Sequence, residues 1–167
     1  MNSEELAAKL LAQLNTQEDL INLVDELEAL SRRVFQAGKL KEEVRTKFSP
    51  RLEEVFVVLR QEQARLSSSE DQERFFRELV NSLLKVKIAK IVFAFTPSQE
   101  FLEKIKTLLE QRTKEKIVLD ISIQEELIGG IQIEYNGLYR DYSVSTALEN
   151  FFNDKTQVNT LIQKGRL

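Results

Sequence analysis

Apolar positions in the first half of the chain recur at three- and four-residue intervals, the spacing that gathers side chains on one stripe of a helix. Leu6, Leu10, Leu11 and Leu14 form the first such series, behind Ser3 as a capping residue. Thr16-Gln17-Glu18-Asp19 reads as a capping box opening a second helix. Leu20, Leu23, Val24, Leu27, Leu30 and Val34 carry that helix to Gly38, where a C-terminal cap belongs. Leu40, Val44 and Phe48 share one face of a short segment. Ser49-Pro50 then supplies a cap and a proline at the first helical position, where its missing N–H costs nothing. Leu52, Val55, Phe56, Leu59 and Leu66 follow, until the serine run Ser67-Ser68-Ser69 breaks the helix. Phe75, Phe76, Leu79, Leu83 and Leu84 mark the next one, so the pattern predicts four long helices and one short one before about residue 85.

Near Val86 the period changes. Ile91, Phe93 and Phe95 alternate with Val92 and Ala94, a short run with the character of a buried strand. Thr96-Pro97-Ser98-Gln99 predicts a cap, a proline at the first helical position and a capping-box glutamine. The helix it opens carries Phe101, Leu102, Ile105, Leu108 and Leu109. Ile117, Leu119, Ile121 and Ile123 alternate with Val118, Asp120 and Ser122 as a half-buried strand. Ile131, Ile133 and Tyr135 alternate again up to Asn136-Gly137, a strong hairpin signal because both residues tolerate positive φ. Leu138 to Tyr142 is the return strand, and Ser143 begins a last helix with Val144, Leu148, Phe151 and Phe152.

The predicted fold class is therefore α+β: an N-terminal helical bundle followed by a small β-α-β-β-β-α domain. The boundaries fall at residues 1–85 for the bundle, 86–152 for the α+β domain and 153–167 for a C-terminal tail. The helical crossover between the first two strands predicts that they run parallel, with a right-handed connection.

Composition narrows the chemistry. Five glycines and two prolines in 167 residues leave room for long helices, and 42% hydrophobic with 31% charged residues suits a folded chain. The absence of cysteine excludes disulfides, thiolate metal sites and cysteine nucleophiles. The absence of histidine removes the commonest general base and metal ligand and every serine–histidine triad. The net charge of −3 is spread over interleaved acids and bases, and the densest cationic stretch, Lys85, Lys87 and Lys90, is broken by apolar residues. Nucleic-acid binding needs concentrated positive charge, so it is not expected. Neither a membrane-spanning run nor a basic leader is read in the sequence, which predicts a bacterial-type cytoplasmic setting.

Glu126-Leu127-Ile128-Gly129-Gly130 is the most distinctive segment. Paired glycines between strands permit a sharp turn or a close backbone approach. A phosphate cradle would need a helix after the glycines, usually with a lysine, and here they feed a strand. Asp19, Asp25, Glu26, Glu28, Glu125 and Glu126 invite an acid–base or metal reading, yet they lie among basic residues in amphipathic segments, where solvated faces are the default. Tyr135, Tyr139 and Tyr142 cluster at the hairpin, where cross-strand packing accounts for them.

Leu119-Asp120-Ile121-Ser122-Ile123, then Glu126-Leu127-Ile128-Gly129-Gly130-Ile131, then a hairpin with Asp141, Ser143 and Leu148, resembles the delta subunit (oligomycin-sensitivity-conferring protein) family of F-type ATP synthases. Phe95-Thr96-Pro97-Ser98 fits the proline that family members often place before the crossover helix. The resemblance covers roughly residues 87 to 152, and the first half agrees in helical character. It implies a non-catalytic stator connector in proton-driven ATP synthesis. The N-terminal bundle would bind the catalytic head's alpha subunits, and the C-terminal domain the end of the peripheral-stalk b subunits. It further implies one copy per complex, no cofactor, and a peripheral location at the cytoplasmic face of the bacterial membrane. The structural motif is Leu127, Ile128, Gly129, Gly130, Asn136 and Gly137, and Phe151 and Phe152 are the candidate stalk contacts, against core packing as the plain alternative.

Two other readings compete. One is a free-standing interaction adaptor in another complex, alike in physics and different in partner. The other is a small enzyme, which would require Glu126, Tyr135 and Asp141 to converge in a pocket.

Overall fold

The computed structural model describes residues 3–37, 49–62 and 68–153. Two compact units divide the chain: Met1–Lys87 with Lys106–Val118, and Ile88–Ile105 with Leu119–Leu167.

In the first unit the predicted capping box closes in both directions. Asp19 N–H donates to Thr16 Oγ1 at 3.1 Å, and the Asp19 carboxylate accepts from the Thr16 N–H at 3.1 Å and from its hydroxyl at 3.0 Å. Orphan amides at the start of α2 (Gln17–Ala37) are thereby satisfied. Before it runs α1 (Ser3–Ala12). Pro50 opens a 3-10 turn, Pro50–Leu52, that leads directly into α3 (Glu53–Gln61). The Ser49 hydroxyl makes no cap bond and donates instead to Glu26 Oε2 at 2.5 Å. Ser68 is the N-cap of α4 (Ser69–Leu84), its hydroxyl accepting from Asp71 N–H at 3.1 Å.

Both α1 and α2 pack on α4. The shared core includes Leu6, Leu10, Leu23, Leu27, Phe56, Phe76 and Leu79, and Val118 joins it. Of the residues expected on the α4 stripe, Leu84 is exposed instead. The expected short helix through Leu40, Val44 and Phe48, the Gly38 cap and Leu66 lie outside the described residues, as does the tail beyond Asn153.

The second unit carries a mixed four-stranded sheet in the order β2-β1-β3-β4, with β1 (Lys87–Phe93), β2 (Ile117–Ile123), β3 (Ile131–Tyr135) and β4 (Leu138–Asp141). The β1/β3 and β3/β4 pairs are antiparallel, with Ile91 opposite Ile133 and Gln132 opposite Asp141. Between β1 and β2 runs α5 (Gln99–Thr113), and α6 (Val144–Asn153) follows β4. Ala89, Ile91, Phe93, Leu102, Ile105, Leu119 and Leu127 are buried within this unit.

Three local expectations are corrected. The cap of α5 is Ser98, whose hydroxyl accepts from Phe101 N–H at 3.3 Å, so Thr96-Pro97 precede the helix. Phe95 lies beyond β1 and is exposed. In β2 the first three residues are all buried and the last two exposed, where alternation was expected, because the strand is covered on both faces at one end only.

Candidate functional site: the glycine loop and the hairpin end

The glycine motif follows a 3-10 turn, Glu125–Leu127, in which Leu127 is buried. Gly129 N–H donates to Leu127 O at 2.6 Å around Ile128, which is held at φ 64°. This is a γ-turn of the rare positive-φ kind, and it places a β-branched residue where such residues are outliers. Gly129 O accepts from Val144 N–H at 2.9 Å, Gly130 O from Ala94 N–H at 3.3 Å, and Ile131 O from Tyr142 N–H at 2.9 Å. The loop backbone is thus bonded to the end of β1 on one side and to the start of α6 on the other.

The two glycines have different reasons to be there. Gly130 has φ 88°, and a Cβ on it would lie 2.2 Å from Tyr142 O and 2.9 Å from Ser143 Cα. A Cβ on Gly129 would meet only the Val144 side chain, its Cγ2 methyl at 3.0 Å and its Cβ at 3.8 Å. At the hairpin, Asn136 and Gly137 take φ 49° and 74°, the pair of positive values a two-residue primed turn needs. Open space surrounds Gly137, so only its backbone conformation calls for glycine.

Asp141 ends β4 and ties this strand to α6. Its Oδ1 accepts from Ser143 N–H at 2.8 Å, and its Oδ2 from Thr146 Oγ1 at 2.8 Å, Gln132 Nε2 at 2.9 Å and Tyr139 OH at 3.3 Å. Hydrogen bonds from the Ser143 side chain and backbone, then from Thr146, hold its carboxyl well below the usual carboxylate range. The Ser143 hydroxyl accepts from Thr146 N–H at 3.3 Å as the helix cap. Asp-x-Ser is therefore a device for seating α6.

Two of the groups required by the enzyme reading, Tyr135 and Asp141, stand at opposite ends of the hairpin. Tyr135 pairs with Leu138 at the turn of the hairpin, whereas Asp141 pairs with Gln132 at its open end. Glu126 is exposed in the 3-10 turn, and Asp141 is bonded to Gln132, Tyr139, Ser143 and Thr146. Among the other candidate carboxylates, Asp19, Glu26 and Glu28 have structural partners. Asp19 caps α2 and meets Arg51 at 3.0 Å, and Glu28 pairs with Arg32 at 3.4 Å. Burial works against ionisation of Asp19, but the bonds from Thr16, Arg51 and Asn15 prevail and keep its carboxyl low. No cluster of three or more potential metal-ligating His, Cys, Asp or Glu occurs among the described residues. Lys85, Lys87 and Lys90 are exposed, Lys90 lying 3.6 Å from Glu134. Phe151 and Phe152 belong to the α6 backbone, and their side chains lie outside the described residues.

One residue escaped the sequence reading. Lys106 is 5% exposed, and its Nζ donates to Leu11 O at 3.0 Å and to Leu14 O, with Glu110 Oε1 at 4.0 Å. It caps the carbonyl end of α1, where a cation is favoured. The signal was present: Lys106 lies four residues after Leu102 and three before Leu109, on the apolar stripe, with Glu110 one turn on.

Fold and site together define a two-unit α+β protein, helical first and sheet-bearing second, whose glycine loop and capping carboxylate seat the last helix. A model of the ATP synthase delta (OSCP) subunit family matches residues 3–154, and the chain belongs to that family. It is 23% identical over 164 residues to the ATP synthase subunit delta of Rickettsia bellii, covering 94% of this chain and 86% of that one. Over 80 residues it is 34% identical to the ATP synthase subunit delta of Hydrogenobaculum sp., covering 48% and 44% of the two chains. A chain in a cryoEM structure of Polytomella F-ATP synthase aligns at TM-score 0.38 and 23% identity, covering 48% of this chain and 99% of that one. The matched stretches span somewhat under half the length of the Hydrogenobaculum and Mycoplasmopsis synoviae relatives, 44% and 46%. No helix among the described residues is long and apolar enough to cross a membrane.

Proposed function

We propose that the chain is the stator connector of an F-type ATP synthase, binding alpha subunits of the catalytic head through its helical unit and peripheral-stalk b subunits through its sheet-bearing unit. It makes and breaks no covalent bond, and it acts at the cytoplasmic face of a bacterial membrane as a peripheral subunit. The observation that carries this reading is a family match running through both units, residues 3–154. The boundary between residues 85 and 86 belongs to the same proposal.

The helical unit offers a place for a partner helix. A cavity of about 580 Å³ opens between α2 and α4, with Leu27, Phe76 and Val80 in its wall. The ion pairs Glu28–Arg32 and Glu73–Arg77 line its edge. An apolar floor with a charged rim suits an amphipathic helix laid in a groove. A standard interface buries about 800 Å² per partner, more than one cavity supplies, so neighbouring surface must contribute.

Co-purification tests the reading. Tagged chain recovered from detergent-solubilised membranes of its host should bring alpha and b subunits with it. Recovery of a different, defined complex without either subunit would overturn the connector role and favour the free-standing adaptor.

A further inference from the structure

Among the described residues the sheet ends at β4, the outermost strand in the order β2-β1-β3-β4. Two bonds that continue the ladders fix which of its backbone groups face outward. Tyr142 N–H donates to Ile131 O at 2.9 Å, and Ala94 N–H donates to Gly130 O at 3.3 Å. Bonded and non-bonded pairs alternate along antiparallel strands. In the hairpin register, Ile133–Arg140 and Tyr135–Leu138 are therefore the bonded pairs, and the backbones of Gln132 and Glu134 turn to β1. The N–H and C=O groups of Tyr139 and Asp141 are left pointing away from β3, off the edge of the sheet.

Such an edge invites another strand. Leu138 is 66% exposed and Tyr139 52% exposed, and an exposed apolar edge is a template for further pairing. A second copy of the chain is always at hand to supply it. Two β4 strands related by a two-fold axis match their outward groups best with Tyr139 of each copy opposite Asp141 of the other. Sliding the copies by two residues either way keeps only one match, Tyr139 on Tyr139 or Asp141 on Asp141.

The best register puts Arg140 opposite Arg140. They form a non-bonded pair, in which alpha carbons approach to about 4.5 Å, and like charges directly opposite are destabilising. Arg140 also occupies the edge itself. Its Nη1 donates to Tyr139 O at 3.0 Å, and that oxygen is one of the acceptors an added strand would need.

We propose that Arg140 is an edge guard, which keeps β4 from pairing with β4 of a second copy and so keeps the chain monomeric. It acts twice, by holding an outward carbonyl and by setting charge against charge at the centre of the symmetric register. The inference goes beyond the connector role and does not rest on it.

The test uses the full chain, with self-association read by sedimentation over a range of concentrations. The parent chain should sediment as a monomer. Arg140→Thr frees the carbonyl and removes the repulsion, and should strengthen self-association about tenfold or more. Adding Tyr139→Pro should reverse this, because proline is tolerated on an edge where its N–H would face solvent and takes away that donor. A second measurement reads the register. The chain has no cysteine, so Arg140→Cys introduces a single thiol at a position whose spacing across the pair suits a disulfide. Under mild oxidation it should cross-link two copies at least about tenfold faster than Arg112→Cys on exposed α5. A parent chain that already pairs through β4, or Arg140→Thr no more associated than the parent, would overturn the proposal. So would association that survives the proline, or equal cross-linking at 140 and 112.

Discussion

The alpha carbon of Gly130 faces the carbonyl oxygen of Tyr142 so closely that a methyl group on it would sit 2.2 Å from that oxygen. Both steric overlap and a positive φ therefore oppose any side chain there. Gly130→Ala is expected to cost ~3 kcal/mol or more in denaturant unfolding, in the range of combined strain and overpacking. Gly129→Ala meets only the Val144 side chain, most closely its Cγ2 methyl, and should cost ~1 kcal/mol. Gly137→Ala, in open space at positive φ, should cost ~1 kcal/mol through backbone strain alone. Equal costs at 129 and 130 would contradict the close approach.

Asp141 gives the stability a pH dependence. Its folded carboxyl is held below the ordinary value of 3.8, so the unfolded state binds the proton more readily. The contribution is fully present above that value and is lost as pH falls below it. Acid titration of stability should show a shallower fall below about pH 4 for Asp141→Asn than for the parent chain. Parallel curves would show that the hydrogen bonds to this carboxylate do not matter.

The capping box makes a local claim. Thr16→Ala removes the hydroxyl that accepts from Asp19 N–H and is expected to cost ~1 kcal/mol. Thr16→Ser should restore most of it. No difference between alanine and serine at this position would count against the box.

Lys106→Met keeps the aliphatic stem and removes the donor to Leu11 O and Leu14 O. Leu11 O keeps its bond from Leu14 N–H at 3.3 Å, and losing the two buried lysine bonds is expected to cost ~1–3 kcal/mol. Lys104→Met breaks an exposed pair with Glu100 and should cost ~0–1 kcal/mol. Thermal unfolding of the two variants side by side distinguishes them.

A fragment beginning at residue 86 should fold, giving a dispersed NMR spectrum. It should also melt below the intact chain, because Lys106 and Val118 lose partners that belong to the first unit. A collapsed spectrum would reject the boundary.

What was legible in the sequence was local chemistry. The Thr16–Asp19 box, the Asn136-Gly137 turn and the Ser143 start of α6 each follow from residues within four positions of one another, and each is present. Thr96 and Ser98 both satisfy the local rules for a cap, and the choice of Ser98 depends on which hydroxyl reaches the Phe101 N–H. Burial along β2 and α5 was less legible. Leu108 is exposed and Lys106 buried, although the stripe alone favours the leucine. What reverses them is α1's carbonyl end, supplied by residues more than ninety positions away. In the sequence the glycine pair signals a turn or a close approach. Both are present, but at different residues: the turn centres on Ile128, and the close approach is at Gly130.

The connector claim is tested most directly by bridging. Peripheral-stalk b fragment fixed to a surface is exposed to alpha-containing catalytic head with and without this chain. The head should be retained only when the chain is present, in one ternary complex. Capture of the chain by each partner singly, with the head never held to the stalk fragment through it, would rule out the connector role.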